Sequence, residues 1–439
     1  MSVFSLSNLK KTWYYLQKNG IRNAVWAVLE RIGQEQEVYT WQEPDEKTLS
    51  FQREHSASLR ISIVVPAYRT KKEHLEAMLN SVSRQSYPHW ELIVADAGGT
   101  AESVQAWAKK NGICLREAAD ASNLAEWKDQ SIVLSTLSEN KGISANTNAG
   151  IELAAGDAVG LLDHDDLLTA NALWEMADCL EKEKKRGKQK LVLFSDEDKC
   201  DGAASRFYEP NFKPDFDGEL LLTNNYICHF TVIETAFLKE LKLRSGFDGA
   251  QDYDLMLRAY AAGGQFVHVP KVLYHWRCHQ DSTASNPQSK LYAFEAGSRA
   301  IMEHYHRMGI EAEKVEKGVD YGIYHTPFKI KDDPLVSVII PNKDHRQDLD
   351  LCIRSMITTG TYKNLEFVVI ENNSTDPETF AYYEAIQQEF PQVRVVTWTR
   401  EFNYSAINNF GVQAAKGQYL LFLNNDTELI AENFVEEML

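Results

Sequence analysis

The sequence predicts an α/β protein built on a largely parallel sheet of the nucleotide-binding kind, and three observations support this fold class. Short apolar runs with the composition of buried strands alternate with helical segments in the first part of the chain. One such run, residues 159–162, leads directly into three carboxylates at Asp163, Asp165 and Asp166. The same arrangement returns with the same spacing near the end of the sequence. Residues 334–439 are therefore predicted to repeat the first part of an earlier domain.

The composition is that of a globular chain too long for one ordinary core, so its 439 residues predict two domains. A net charge of −17 argues against a nucleic-acid partner, because phosphate binding needs basic surface. The six cysteines form no CxxC pair, which predicts reduced thiols in a cytosolic protein. The sequence contains no run of about 18 apolar residues and no secretion signal. We therefore expect a cytoplasmic location.

The first 58 residues are predicted to form an amphipathic helix and a linker. Residues 7–32 combine tryptophans and aliphatic residues with lysines and arginines, so this segment is basic in an otherwise acidic protein. Such a helix either packs on its own domain or lies peripherally in the inner face of the membrane, and the sequence leaves both interpretations open. Residues 34–58 are polar and are interpreted as the linker.

The predicted elements of the first domain follow one another as strand, helix and strand, which is how a parallel sheet begins. Residues 60–66 form a strand, apolar positions from Leu75 to Val82 predict a helix, and residues 91–95 form the second strand. The further predicted elements are helices at 104–110, 146–154 and 173–184 and strands at 132–134, 159–162, 191–194 and 266–274.

The repeat is defined by two intervals of equal length. Pro66 and Asp96 are 30 positions apart, as are Pro341 and Glu371. A shared register of this kind predicts two copies of one half-domain, separated near residues 331–334. The second interval spans 17 positions, from Asn148 to Asp165 and from Asn409 to Asp426.

The acidic cluster after the central strand has two explanations. Ligands bind beyond the carboxyl ends of parallel strands, and like charges this close favour a bound cation, for which carboxylate oxygens indicate Mg²⁺ or Mn²⁺. Alternatively, Asp165 or Asp166 caps the helix that begins near Ala170. This stretch alone does not decide between them.

Six short motifs occur in a fixed order along the chain. They are Val-Pro-Ala-Tyr at 65–68, Ala-Asp-Ala-Gly-Gly at 95–99, Asn-Lys-Gly-Ile-Ser at 140–144, Leu-Asp-His-Asp-Asp at 162–166, Gly-Ala-Gln-Asp-Tyr-Asp at 249–254 and Tyr-His-Trp-Arg at 274–277. Together they resemble the family 2 glycosyltransferases, and closely the tandem, rhamnosyltransferase-like type of bacterial polysaccharide gene clusters. The resemblance implies a GT-A fold, a Rossmann-like mixed sheet, over residues 59–285. A helical connector at 286–333 and a second, incomplete GT-A domain at 334–439 follow.

The resemblance also implies a donor site and a metal. Asp163 and Asp165 would hold Mn²⁺ or Mg²⁺ against the leaving diphosphate, with His279 rather than His275 as the third ligand. A lone histidine is more often structural, so this ligand stays open. A UDP- or dTDP-linked sugar would contact Pro66, Ala67, Tyr68, Asp96, Lys141 and Asp163. The family's frequent Asp-Asp-Gly-Ser reads Asp-Ala-Gly-Gly here, which leaves the base preference open.

For catalysis, the resemblance assigns Asp252 as the base that takes the proton of the acceptor hydroxyl, in a single displacement that inverts the anomeric centre. The alternative is that Asp252 caps a helix at 253–262. The acidic pair at 196–197 could instead be a charged turn, and the side chains at 276–277 could be core and surface. The predicted acceptor-binding residues are Asp196, Glu197, Gln251, Trp276 and Arg277.

These assignments predict an enzyme that moves rhamnose or another hexose from a nucleotide sugar to a surface polysaccharide or lipid-linked glycan. The alternative is a non-catalytic nucleotide-sugar-binding scaffold of an assembly complex. A dehydrogenase or nucleotidyltransferase is disfavoured because no glycine-rich phosphate loop follows the first strand.

The second copy is predicted to lack transferase activity. Asn424 replaces Asp163 of the first copy, and 13 residues follow Asp426, whereas Asp252 lies 87 residues after Asp165. The second copy is interpreted either as a truncated domain or as a structural or nucleotide-binding remnant.

Overall fold

The structure is a computed structural model that describes residues 39–119, 127–278, 291–320 and 322–439. They divide into two compact units, the first made of the described residues up to 309 together with 316–325, the second of 310–315 and 326–439. The predicted amphipathic helix at 7–32 lies outside the described residues. No helix within the described ranges is long and apolar enough to cross a lipid bilayer.

The first unit alternates helices and strands along the chain. Its elements are α1 (Glu46–Glu54), β1 (Ile61–Ala67), α2 (Lys72–Ser83), β2 (Trp90–Asp96), α3 (Ala101–Asn111), β3 (Cys114–Glu117), β4 (Ser131–Thr136), α4 (Ile143–Leu153), β5 (Ala158–Leu161), β6 (Leu167–Leu168), α5 (Ala172–Lys185), β7 (Leu191–Asp201), β8 (Phe207–Asn211), α6 (Gly218–Leu221), β9 (Thr231–Glu234), α7 (Thr235–Leu241), a 3₁₀ turn (Ser245–Phe247), α8 (Gln251–Ala261), β10 (Gln265–Cys278), α9 (Leu291–Met308), β11 (Glu316–Lys317) and β12 (Tyr324–His325).

One large mixed sheet organises this unit. Its strand order is β3-β4-β2-β1-β5-β9-β7-β10-β6, with β8 paired to β7. Strands β4, β2, β1 and β5 are mutually parallel, and β9 runs antiparallel between β5 and β7. The predicted mixed α/β sheet is thereby confirmed. Because parallel strands end at the same edge, the loops after β1, β2 and β5 meet there.

The core forms because the parallel strands are covered on both faces. Ile61, Ile63, Val64 and Val65 of β1 are all fully buried, as expected of a strand between two helical layers. Helix α2 contributes Leu75, Met78, Leu79 and Val82, whose helical spacing places them on one face against the sheet. This helix and the flanking strands are where the sequence predicts them.

The interpretation of residues 34–58 as a linker is wrong for α1. Asp45 caps this helix by accepting a hydrogen bond from the Thr48 amide at 2.8 Å. Gln52 anchors it, accepting from the Ser86 hydroxyl at 2.7 Å and donating to Glu175 at 3.4 Å. Leu49 and Gln52 are its buried side chains, so this nine-residue helix presents few apolar positions from which it could be predicted.

The second unit repeats the parallel part of the first. Its sheet order is β15-β14-β13-β16, with all pairs parallel. Val336 pairs with Leu365 and Tyr419, as Ile61 pairs with Trp90 and Ala158 in the first unit. The elements are β13 (Val336–Asn342), α10 (Arg346–Thr358), β14 (Leu365–Glu371), α11 (Pro377–Glu389), β15 (Val393–Thr397), α12 (Tyr404–Ala414) and β16 (Tyr419–Phe422).

A buried polar network fixes how β5 meets β1 in the first unit. The Ser62 hydroxyl donates to Glu91 Oε1 at 2.7 Å and accepts from the Gly156 amide at 2.9 Å. Arg116 donates to Glu91 Oε2 at 2.9 Å. A Cβ at Gly156 would lie 2.7 Å from the Ser62 backbone nitrogen, so only glycine fits this approach.

The second unit contains the same network. The Gly417 amide donates to the Ser337 hydroxyl at 2.8 Å, and that hydroxyl donates to Glu366. Arg394 reaches Glu366 at 3.4 Å, and a Cβ at Gly417 would lie 2.6 Å from the Ser337 nitrogen. The two copies therefore share buried contacts as well as strand order.

We expect Ser62→Ala to lower the free energy of unfolding of the first unit by about 1–3 kcal/mol, because it leaves the buried Gly156 amide without its acceptor. Urea unfolding followed by tryptophan fluorescence measures this change. Ser50→Ala, on the surface of α1, is the control and should change stability by less than about 0.5 kcal/mol. Equal effects of the two substitutions would contradict the role of the network.

Candidate active site

The candidate site lies where the loops after β1, β2 and β5 meet. The Ala97 amide donates to the Ala67 carbonyl at 2.8 Å, which joins the first two loops. The Leu162 amide donates to the Val64 carbonyl at 3.1 Å and extends β5 along β1. The acidic residues that follow Leu162 therefore emerge at the same edge as Tyr68.

The residues predicted to contact the nucleotide differ in accessibility. Tyr68 is exposed, and an added Cβ on Gly98 would lie 3.6 Å from its ring. Lys141 is also exposed and pairs with Glu139 at 3.1 Å. Ala67 is buried and Pro66 half-buried, so the end of β1 offers mainly backbone. An exposed aromatic face suits stacking with a base, and an exposed ammonium suits contact with a phosphate.

Asp96 shapes the loop that follows β2. Its carboxylate is 1% exposed and accepts hydrogen bonds from the amides of Gly98, Thr100 and Ala101, at 3.0, 3.1 and 2.8 Å. These contacts cover the start of α3 and hold the loop beside Tyr68. A direct contact between Asp96 and the nucleotide stays a prediction.

The acidic loop after β5 presents two carboxylates and buries a third. The side chains of Asp163 and Asp165 are 43% and 23% exposed, whereas Asp166 is fully buried. Asp166 accepts from the Tyr274 hydroxyl at 2.6 Å and from the Arg277 amide at 2.7 Å. Burial, with the charges of Asp165 and Asp163, raises the pKa of Asp166 well above its usual value.

The helix-cap explanation of this cluster is wrong. Helix α5 begins at Ala172, and the residue at its N-cap position is Asn171. Asp165 and Asp166 lie five or more positions earlier in the chain, and Asp166 is engaged by β10 instead. The cluster is therefore a loop of its own at the sheet edge.

Arg277 is a buried residue that holds the acidic loop, so its predicted contact with an acceptor is corrected. The residue is 2% exposed. Its guanidinium donates to the Asp165 carbonyl at 2.5 Å and to the Gly202 carbonyl at 2.6 Å. The buried Arg277 side chain on β10 therefore fixes the backbone of Asp165 and is not accessible to a glycan.

The loop fits a hard divalent cation. Asp163 and Asp165 supply carboxylate oxygens at an edge open to solvent, and such ions take further oxygen ligands from water and phosphate. Within the described ranges, no three His, Cys, Asp or Glu side chains form a metal-binding group. The predicted third ligand, His279, lies outside the described residues. His275 is buried and its Nδ1 contacts Asp198 at 2.5 Å, so it is committed elsewhere.

Asp252 lies in the first turn of α8, after the N-cap residue Ala250. Its Oδ1 accepts from the Tyr253 amide at 2.8 Å. Its Oδ2 accepts from Asn225 Nδ2 at 3.0 Å and from the Cys228 thiol at 2.7 Å. The carboxylate is thus oriented by a neighbouring loop as well as by its own helix, which the capping explanation does not require.

A two-residue segment links Asp252 to the acidic loop. Cys228 contacts Asp252, and the next residue, His229, places Nε2 at 3.9 Å from Asp163 Oδ2. The His229 ring stacks on Tyr274 with centroids 4.9 Å apart. Burial lowers the pKa of His229, which favours the neutral ring. This segment was not predicted, because Cys228 and His229 belong to none of the six motifs.

Trp276 lies near this segment, and Gln251 directly precedes Asp252 in the chain. The Trp276 ring is half-buried, 5.9 Å from the His229 ring and 6.0 Å from Lys199 Nζ. Gln251 accepts from the Gly249 amide through Oε1 at 2.7 Å. An aromatic surface beside a polar edge suits a sugar ring, and the acceptor roles of both residues stay predictions.

Asp196 and Glu197 are structural residues inside β7, so both explanations offered for them from sequence, acceptor binding and a charged turn, are wrong. Asp196 accepts from the Lys213 amide at 2.9 Å and pairs with His268 at 2.8 Å. Glu197 accepts from the His229 amide at 3.1 Å and forms an ion pair with the buried Lys213 ammonium. Burial is possible because opposite charges meet there.

The second unit has a different constellation at the equivalent edge. Asn342 stands at the end of β13, where Ala67 stands in β1. It accepts from Asn425 Nδ2 and donates to the Tyr383 hydroxyl, both at 2.7 Å. Glu371, in the place of Asp96, is buried and accepts from Tyr383 at 2.7 Å. Two residues at this edge are thus engaged in contacts within the unit. Asp426 is the one carboxylate in its Asn-Asn-Asp motif, where the first unit has Asp163 and Asp165.

Comparison with known proteins agrees with this architecture. The family described as glycosyl transferase family 2 matches residues 62–241 and 337–439. An uncharacterized protein y4gI of Sinorhizobium fredii is 35% identical over 381 residues, which is 86% of this chain and 40% of that protein. The O-antigen biosynthesis protein RfbC of Myxococcus xanthus is 35% identical over 379 residues, 86% of this chain and 28% of that protein. The chain thus spans less than half the length of either relative.

Among solved structures, S. aureus TarS 1-349 in complex with UDP-GlcNAc matches with a TM-score of 0.42 and 19% identity, covering 58% of this chain and 68% of that one. The family match is more informative, because its two segments cover more than half of the chain and fall on the two repeated sheets. The chain belongs to glycosyl transferase family 2.

Proposed function

We propose that the first unit transfers a sugar from a nucleotide-diphosphate donor to a glycan acceptor, with a divalent metal and inversion of the anomeric centre. The observation that supports this most is the Cys228–His229 segment, which contacts Asp252 at one residue and Asp163 at the next. These two contacts support one site that combines a carboxylate suited to a base with a pair suited to a metal, as a displacement reaction needs.

In this mechanism the acceptor oxygen attacks the anomeric carbon while the bond from that carbon to the diphosphate breaks. Asp252 takes the proton of the acceptor hydroxyl. Asp163 and Asp165 would hold the divalent metal, which when bound would supply positive charge to balance that of the leaving diphosphate. Tyr274 and Arg277 keep the acidic loop in place through Asp166 and the Asp165 carbonyl. His279 is proposed as an additional ligand.

The donor is proposed to be UDP- or dTDP-linked and to carry rhamnose or another hexose. The exposed Tyr68 ring supports a stacked base, and Lys141 supports a phosphate contact. The acceptor is proposed to be a surface polysaccharide or lipid-linked glycan, in line with the O-antigen biosynthesis named for one relative. With such an acceptor, the protein is proposed to act on the cytoplasmic side of the membrane and to contact the membrane face peripherally.

The second unit is proposed to be non-catalytic. Its motif offers Asp426 with asparagines at 424 and 425, and Asn425 is bonded to Asn342. If the first unit also proved inactive, the alternative of a nucleotide-sugar-binding scaffold would replace the enzyme.

We expect Asp165→Asn to abolish metal-dependent nucleotide binding, because it removes a charged ligand of the cation. Thermal unfolding with UDP, dTDP or GDP, each with Mn²⁺ or with chelator, measures this. At a ligand concentration 100 times Kd the native protein gains about 2.7 kcal/mol, which the variant should lose. Asp178→Asn is the control, since Asp178 pairs with Lys182 on the surface of α5. An undiminished shift in Asp165→Asn would contradict the metal site.

We expect Asp252→Asn to lower turnover by about 10²–10⁴-fold, because an amide cannot take the acceptor's proton. The nucleotide-dependent thermal shift should stay that of the native protein. Release of nucleoside diphosphate from donor sugars measures turnover. Asp215→Asn, whose side chain is 99% exposed, is the matched control. A loss of nucleotide binding in Asp252→Asn would assign this residue to the donor site instead.

We expect the double variant Asp165→Ala, Asp252→Asn to release no more nucleoside diphosphate than buffer does, because the second unit contributes no turnover of its own. The assay uses the whole chain at enzyme concentrations high enough to detect a rate about 10⁴ times below the native one. Residual turnover that disappears on a further Asp426→Ala substitution would show that the second unit is active.

A further inference from the structure

The proposed base is held by one loop that belongs to neither its own helix nor the acidic loop. This loop runs from α6 to β9 and contains Asn225 and Cys228. Both donate to the same oxygen, Asp252 Oδ2, at 3.0 and 2.7 Å. Asn225 Nδ2 also lies 3.1 Å from the Cys228 sulfur. The three side chains therefore form a closed triangle of contacts.

Cys228 acts as a donor in this triangle. The pKa of its thiol is raised well above the usual value, first by burial and then by the negative charge of Asp252. A protonated thiol can give its hydrogen to a carboxylate, whereas a thiolate would repel it. Lys213 and Glu197 also face this cysteine, and they are paired with each other.

Among the described residues, the hydrogen bonds to Asp252 leave one acceptor position on its carboxylate. An ionised carboxylate has about four lone-pair sites. The hydrogen bonds from Asn225 and Cys228 occupy the two lone-pair sites of Oδ2. The Tyr253 amide occupies one of the two sites of Oδ1. The remaining site, on Oδ1, is where an incoming hydroxyl can donate its proton.

The loop that makes these contacts is itself anchored. The next residue after Cys228, His229, donates its amide to Glu197 at 3.1 Å and accepts from Lys213 Nζ at 2.6 Å through its carbonyl. Lys213 also donates to the Ile227 carbonyl at 3.0 Å. The backbone on both sides of the thiol is thus fixed by one buried ammonium, so the position of the sulfur is well defined.

We propose that Cys228 is a positioning residue for the glycosyl transfer proposed above: its S–H, with the Asn225 amide, fixes Asp252 so that Oδ1 receives the acceptor proton. The inference rests on the proposed function for the identity of the base. It adds a residue from outside the six motifs and assigns the two carboxylate oxygens different tasks. Because the same loop reaches Asp163 through His229, the base and the metal loop keep a fixed separation.

The first test compares Cys228→Ala, which removes the donor, with Cys228→Ser, which keeps one. Nucleoside diphosphate release is measured with UDP-glucose, UDP-N-acetylglucosamine, dTDP-rhamnose and GDP-mannose, with octyl glycosides or water as acceptor. We expect kcat to fall about tenfold in Cys228→Ala with the donor KM unchanged, because a mispositioned base affects the transition state. Cys228→Ser should recover to within about threefold.

Cys179→Ala, which removes a partly buried thiol on α5, is the matched control and should leave kcat unchanged. Equal losses in the alanine and serine variants, or a rise in the donor KM, would show a packing role and overturn the inference. An unchanged kcat in Cys228→Ala would also overturn it.

The second test needs no turnover and so separates this inference from the proposed function. The infrared S–H stretching band of Cys228 is obtained as the difference between the native protein and Cys228→Ala. We expect it to move to higher frequency in Asp252→Asn, because the thiol loses its charged acceptor. A band that Asp252→Asn leaves in place would overturn the inference and leave the proposed function intact. Absence of nucleoside diphosphate release by the native protein would overturn the proposed function, and with it the task given to Oδ1.

Discussion

The geometry of the site depends on how three neighbouring carboxylates are kept together at the end of β5. Neighbouring carboxylates repel one another when all are ionised, so at least one of them must be neutral or must be stabilised by hydrogen-bond donors or a cation. Asp166 meets this constraint because it is buried against β10, where the Tyr274 hydroxyl and the Arg277 amide donate hydrogen bonds to its oxygens. Burial and the charges of Asp165 and Asp163 raise its pKa. Arg277 also holds the Asp165 carbonyl. Asp163 and Asp165 are left at the surface, where a cation and a diphosphate can reach them.

The two units share one sheet architecture but carry different residues at its carboxyl edge. The network of serine, glutamate and glycine is the same in both, because a close approach of β5 to β1, or of β16 to β13, needs it. The loops at the carboxyl edge differ. Asn342 and Asn425 bond to each other in the second unit, where the first has Ala67 and His164. The same sheet therefore supports two different sets of loop residues, as expected when functional residues lie in loops.

Local sequence patterns predicted the elements and contacts that depend on nearby residues. The strands β1 and β2, helix α2 and the repeat were found because periodicity and spacing express them directly. The burial of Asp196, Glu197 and Arg277 was missed because their partners, Lys213 and the Asp165 and Gly202 carbonyls, are distant in sequence. The Cys228–His229 segment gave no signal for the same reason. Helix α1 was missed because it is short and is anchored by Gln52, whose partners Ser86 and Glu175 are distant in sequence.

Asp163, Asp165 and Asp252 are proposed to border one site at which the acceptor displaces the diphosphate directly. The most direct measurement is the anomeric configuration of the first product formed, followed by proton NMR in real time with a donor sugar of known configuration. A single displacement with Asp252 as base predicts a product of the opposite configuration from the donor. A product that keeps the donor's configuration would contradict the assignment of Asp252 and the direct displacement.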